Sequence, residues 1–244
     1  GQLSGEIVDG VEGKAIDVLK ANPKLEQIPA VYMISMFENE SEEGRMLKQN
    51  FNGFLTDLHD EGREPLLNLA RATKKTINWT GVALFRGSHM IGKLNEQESW
   101  TLLQLKDAEG GSKVSCACPE EKGEITVLPK DVKRTLTFDR NRFRFNYRME
   151  VDASIVEKTC TIDLSLERNS EAVEREIKQL YEREAREVVA KLQRENVDAL
   201  ALGSYVRAFH PDVWDRLNWA DAFPRADIRV NYDVEIKGRG ALYQ

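Results

Sequence analysis

The groups in this chain that could do chemistry are three histidines, three cysteines and a surplus of carboxylates, with 41 Asp and Glu against 35 Lys and Arg. His59 stands at the end of a predicted helix, His89 in a predicted hairpin turn and His210 before Pro211. None has a second histidine at i+2 or i+4, and no HExxH is present, so the pair of imidazoles a zinc hydrolase needs on one helix face is missing. Cys116 and Cys118 have CxC spacing with no further Cys or His cluster nearby, and Cys160 is distant. An odd count without framework spacing reads as buried free thiols, not as a disulfide scaffold or a metal set. No GxxxxGK[ST], GxGxxG or GxSxG occurs, and Gly238-Arg239-Gly240 is too short to cradle a phosphate. Carboxylate pairs suited to hydrolysis must arise by chance among so many acids. The expectation is a chain with no catalytic residue, no cofactor and no metal.

One cluster of charge is worth following. Residues 130–148 hold seven basic residues against Asp131 and Asp139, in a chain whose formal net charge is −6. Arg142, Arg144 and Arg148 alternate with Phe143, Phe145 and Tyr147, which predicts the arginines on one strand face and the rings on the other. Such a face can meet anionic lipid headgroups or an acidic partner. It can equally pair with acids of the same fold, which is the favoured expectation. With the rings turned inward and the chain acidic overall, a nucleic-acid partner is not expected.

The elements that must position these residues show in the hydrophobic period. Residues 1–76 read as a mostly helical region: a helix over 8–21 ended by Asn22-Pro23, an apolar run from Ala30 to Phe37, and a charged helix over 41–60 that starts at Ser41 and has Gly62 as its C-cap. Pro65 to Leu69 reads as a loop or short extended piece. From residue 77 to 244 we expect an α+β domain. INWTGVALFR and HMIGKL form a hairpin across Gly87-Ser88, followed by a helix over 96–105. VSCAC, EITVL, DVKRTLTF and FRFNYRMEVDASIVE follow as strands, the last two joined by a turn at Asp139-Arg140-Asn141, and Thr159 to Leu166 as another. A long helix capped by Asn169 or Ser170 runs to Val197, with recurring Glu-to-basic i,i+4 pairs on its outer face. Trp214 and Trp219 sit on a short helix before Pro224, and Ile228, Val230, Tyr232, Val234 and Ile236 alternate in a last strand. The fold class is therefore a mainly antiparallel sheet covered by one long helix. No run of 18 apolar residues occurs. The chain opens GQLSGEIVDG without an initiator Met and reads as a processed or excised chain.

Three stretches carry a resemblance. TGVALFRGSHMIGKLNEQES holds Gly81, Ala83, Phe85, Gly92, Leu94 and Glu98; Asp198 is followed by Pro211, Trp214, Trp219 and Phe223; the last strand closes at Gly238. In that order, with AIDVLKANPKLEQIPAVYM upstream, they resemble the Ger(x)C family of spore-germination lipoproteins. ALALGS stands where that family has a glycine-rich run, and the family's lipobox cysteine and most of its N-terminal domain are not in this sequence. The resemblance implies the non-enzymatic C subunit of a germinant receptor with polytopic A and B membrane subunits as partners. It implies a place on the outer face of the spore inner membrane, held by an N-terminal lipid. The other reading is an extracytoplasmic protein that binds or hydrolyses wall or cortex glycans.

Overall fold

The computed structural model describes residues 7–8, 46–49, 51–72, 77–107 and 113–238. In chain order the elements are β1 (Ile7–Val8), α1 (Phe51–Leu58), β2 (Leu66–Ala72), β3 (Ile77–Arg86), β4 (His89–Leu94), α2 (Glu96–Asp107), β5 (Val114–Ala117), β6 (Glu124–Asp139), β7 (Arg144–Lys158), α3 (Glu167–Glu195), α4 (Leu202–Phe209), α5 (Pro211–Trp214), α6 (Trp219–Ala222), a 3-10 turn (Phe223–Arg225) and β8 (Asp227–Gly238). They build two four-stranded sheets, ordered β1-β2-β3-β4 and β5-β6-β7-β8. Pairing is antiparallel except at β1–β2 and β7–β8. The fold is α+β with one long helix, as the period predicts.

The first sheet is apolar on both faces because both are covered. Leu67, Leu69, Ala83 and Phe85 meet Phe54 of α1, its ring edge-on to Phe85 at 5.3 Å. Leu66, Val82, Leu84 and Leu94 face the main core with Leu102, Leu103 and Leu105 of α2. The second sheet is one-sided. Phe145, Tyr147, Met149, Val151, Ala153 and Ile155 of β7 are buried under α3, and the alternate residues face water. One core joins both sheets.

Several predicted elements differ, each for a physical reason. Of the predicted helix over 41–60, Phe51–Leu58 is helical and residues 46–49 are not, while 41–45 and 50 lie outside the described residues. Asn68 holds that stretch instead: Leu47 N–H donates to its Oδ1 (3.2 Å), and its Nδ2 donates to the Leu47 carbonyl (2.9 Å). The piece read as a loop from Pro65 is the regular strand β2. EITVL and DVKRTLTF are one strand, β6, bent by a bulge at Pro129, where the missing N–H costs no ladder bond. The strand expected over 159–166 is a loop, in which Asp163 Oδ1 accepts from Ser165 N–H (2.8 Å) and the Asp163 carbonyl accepts from Asn169 Nδ2 (2.7 Å). Asn169 is thus not a cap, and α3 starts at Glu167. Trp214 and Trp219 lie on two short helices, not one. Val8 is in a strand backbone, and the remainder of the predicted helix over 8–21, the run over 30–37 and the proposed cap Ser41 lie outside the described residues.

The cysteine expectation is corrected as well. Cys118 and Cys160 form a disulfide, and only Cys116 is free. The register of three adjacent strands brings together two residues that are 42 apart in sequence, which spacing alone cannot show. Gly123, at φ +132°, completes the junction; a Cβ there would sit 2.9 Å from that of Cys160. Burial, and then the charge of Glu176, push the Cys116 thiol up to about 11, so it carries little thiolate at neutral pH.

Candidate functional site: a buried seam and its aromatic corner

The long helix ends in a Schellman turn. Asn196 is left-handed (φ 50°), its N–H donates to Gln193 O (3.1 Å), and Val197 N–H donates to Leu192 O (2.9 Å). The turn drives Asp198 into the core, where it is 3% exposed. Its carboxylate then accepts three N–H groups: Leu202 to Oδ1 (3.0 Å), Gly203 to Oδ2 (2.7 Å) and the Trp219 indole to Oδ2 (3.1 Å). The first two are donors that the start of α4 would otherwise leave without partners. The third open donor of that helix, Ser204 N–H, goes to the Gly62 carbonyl (2.8 Å), from the loop between α1 and β2. Burial pushes the Asp198 carboxyl up to about 6, against those three donors.

Two glycines let backbones meet here. A Cβ on Gly203 would lie 2.6 Å from Trp219 Nε1 and 2.7 Å from Gly62 O, and one on Gly62 would lie 2.5 Å from Ser204 N. Gly62 is therefore a close-approach residue, not the helix C-cap expected of it. Asp60 closes the seam. Its two oxygens accept from Arg207 at 2.9 and 2.8 Å, and Oδ1 also from Gly62 N–H (2.8 Å). Burial pulls the Asp60 carboxyl up, but the bonds from Arg207 and Gly62 and the charges of Arg207 and Arg63 outweigh it and hold it below the ordinary range. Glu64 N–H donates to the Asp198 carbonyl (3.2 Å), and Arg86 reaches the Glu195 carbonyl (3.1 Å).

An aromatic cluster backs the seam. Trp219 has Trp214, Phe143, Phe145 and Phe223 around it at centroid distances of 5.8–6.4 Å. Arg207 lies over Trp214 (5.6 Å) while it binds Asp60. At the far end of α4, Phe209 stands 67% exposed against Tyr205, and the His210 ring packs at a tilt against Phe138.

The structure does not bring the three sequence-selected arginines to one point. Arg142 lies in the β6–β7 turn, 3.9 Å from Asp139. Arg144 and Arg148 are on β7, Arg144 against Asp227 and Arg148 between Glu150 (3.3 Å) and Asp233 (3.2 Å). Arg148 lines a shallow groove of about 300 Å³ on the outer face of the second sheet, with acids and bases of β6 and β8 around it. Sequence reasoning missed Asp60, Arg207 and the disulfide; Asp198 entered only through the resemblance, with no role attached. The available signal was an acid followed at i+4 and i+5 by Leu202 and Gly203.

Comparison with known proteins decides the family. The profile described as "Spore germination B3/ GerAC like, C-terminal" matches residues 80–240, and the "Spore germination protein N-terminal domain" profile matches 9–72. The chain belongs to the spore germination B3/GerAC-like family. Among its relatives are spore germination protein GerQC of Bacillus cereus, 23% identical over 96% of this chain, and YndF of Bacillus subtilis (strain 168), 25% identical over 97%. The chain spans 65% and 60% of their lengths. The crystal structure of the GerBC protein superposes with a TM-score of 0.70 at 20% identity, covering 93% of this chain and 67% of that one, which shows a shared fold. Residues that carry the resemblance in the sequence acquire physical roles. Gly81, at φ +133°, leaves room for the Leu94 carbonyl. Glu98 forms a capping box with Asn95 (2.8 and 2.9 Å) and binds Lys191 of α3. Asp198 and Trp219 are the seam. Among the described residues no helix is long and apolar enough to cross a membrane.

Proposed function

We propose that the chain is the greater part of a non-enzymatic subunit of a membrane-bound germinant receptor, acting in receptor assembly or signalling. Its partners are the polytopic A and B subunits, and it is held at the outer face of the spore inner membrane by an N-terminal lipid. Family membership supports the setting. The observation that carries the non-enzymatic part is the use of Asp198: all three of its donors are fold elements, and it is buried away from any open cleft at 3% exposure. A general acid or base needs a substrate within reach, and this carboxylate holds the seam. Residues 1–76 and 77–244 act as its two segments, although β2 and β3 pair across that boundary. Arg142 and Arg148, 69% and 65% exposed, present cations to a partner, while Arg144, closed on Asp227, steadies the strand between them.

The test is co-purification of the full-length, lipid-bearing protein with the A and B subunits from detergent-solubilised membranes, alongside a germination assay of spores lacking it. Release of reducing sugar from purified cortex by the protein alone would overturn the reading.

A further inference from the structure

Two features far apart in sequence meet at one end of the molecule. The β6–β7 turn carries Arg140 and Arg142; the α4–α5 junction carries Phe209, His210 and Asp212. Phe138, the last inward ring of β6, packs at a tilt against His210 (5.1 Å), which touches Tyr205 (6.1 Å), which packs at a tilt against Phe209 (4.9 Å). Arg140 reaches Asp212 at 3.5 Å. The corner therefore presents Phe209, the most exposed large apolar side chain among the described residues, together with two arginines exposed by 61% and 69%.

Resting on the receptor-subunit reading, we infer that this corner is the docking surface for an extracytoplasmic segment of a polytopic subunit, one that carries an apolar side chain flanked by a carboxylate. Aromatic rings and arginines are the residue types that dominate protein interfaces when desolvated together. Arg140 and Arg142 each touch an acid only at the edge of ion-pair range, 3.5 and 3.9 Å. An incoming carboxylate can bind either guanidinium in the bidentate mode that fixes orientation. Charge decides between a protein and a lipid surface. Asp139 and Asp212 stand against Arg142 and Arg140, so these four charges cancel. An anionic bilayer draws instead on clusters of about 4–8 basic residues. Mixed signs set close together suit a partner that matches them residue by residue. The corner is also wired to the seam, because α4 carries Phe209 at its end and Arg207, which holds Asp60, two residues back.

The experiment is co-purification of the full-length, lipid-bearing protein with co-expressed A and B subunits, in three variants: Phe209→Ala, the double change Arg140→Glu/Arg142→Glu, and Glu187→Lys on the outer face of α3 as control. The first two are expected to lower recovery of the complex about tenfold or more, with thermal melting unchanged, and the control to leave it intact. Wild-type complex with no loss in the corner variants overturns this inference and leaves the receptor reading standing. No wild-type complex overturns both. Unchanged complex but lost flotation with phosphatidylglycerol vesicles makes the corner a membrane contact, and a change in oligomeric state by light scattering makes it a self-contact; either result overturns the inference.

Discussion

The seam around α4 and the outer face of the second sheet use the same chemistry to opposite effect. Both pair carboxylates with N–H donors at ordinary distances. At the seam the Asp198 carboxylate is buried and bound by backbone and indole donors that have no other acceptor. On the sheet, Lys133–Asp131 (3.7 Å), Arg148–Glu150 (3.3 Å), Lys178–Asp233 (3.6 Å) and Lys237–Asp152 (2.7 Å) form a ladder in water. A partner removed from the ladder is replaced by solvent. A partner removed from the seam is replaced by nothing, and the open group bears its full desolvation cost. Burial, not the number of ion pairs, decides where this fold is held.

The sharpest way to break that contrast is Asp198→Ala. It leaves the Leu202, Gly203 and Trp219 donors without acceptors, and should cost about 3–5 kcal/mol in urea unfolding, since each buried open donor costs about 1–3 kcal/mol. A loss under about 1 kcal/mol would mean that water reaches the seam. Asp198→Asn sharpens it through pH. The folded carboxyl titrates at about 6, above its ordinary 3.8. The folded state therefore holds the extra proton between those values, and stability from this group is full below 3.8 and falls as pH rises through 6. Asp198→Asn should be weaker at every pH, because its amide turns a donor toward donors, and should lose that acid-side slope. Asp60 has the opposite sign: its carboxyl is held low, so its contribution is present above 3.8 and is lost as pH falls below. Arg207→Ala should weaken that second slope, leaving what Gly62 N–H and Arg63 hold, and should not touch the first.

Cys160→Ser tests a covalent constraint, the Cys118–Cys160 disulfide. Opening a loop of 42 residues should lower stability by roughly 2–4 kcal/mol, read as a drop in melting temperature that reductant reproduces in the wild type. Equal melting of the two proteins without reductant would show that the bridge is not formed in solution.

Legibility in the sequence follows the same division between local and distant. β7, β8 and α3 are plain from period alone, since Phe145, Tyr147 and Met149, or Val173, Ile177 and Val188, repeat at the spacing of their element. The end of α3 is a local device too, yet its left-handed residue is Asn196 where Gly is the usual signal. What could not be read lies between elements. Glu174 and Glu182 look like i,i+4 partners of Lys178 and Arg186, and Glu171–Arg175 does form (3.6 Å). Glu174 and Glu182 instead accept the Ile236 and Tyr232 N–H groups along the edge of β8 (2.9 and 3.2 Å), and Lys191 crosses to Glu98. Shielding an exposed strand edge from foreign strands outweighs a weak helix pair. The seam is of the same kind: Asp60 and Arg207 are 147 residues apart, and no periodicity links them.

The smallest expected effect belongs to the ladder, and it is the one that completes the comparison. Arg148 touches Glu150 and Asp233 with a side chain that is 65% exposed. Exposed pairs are worth about 0.2–1 kcal/mol and are screened by salt. Across the strands, Glu150 also stands opposite Lys133 in the register, and Lys178 reaches Asp233 from α3. Each acid therefore keeps a second cation when Arg148 is removed. Arg148→Ala should change unfolding free energy by less than about 0.5 kcal/mol, and that difference should vanish in 1 M salt. A loss as large as that of Asp198→Ala would mean that the outer face is covered in solution, and the contrast between a dry seam and a wet ladder would have to be abandoned.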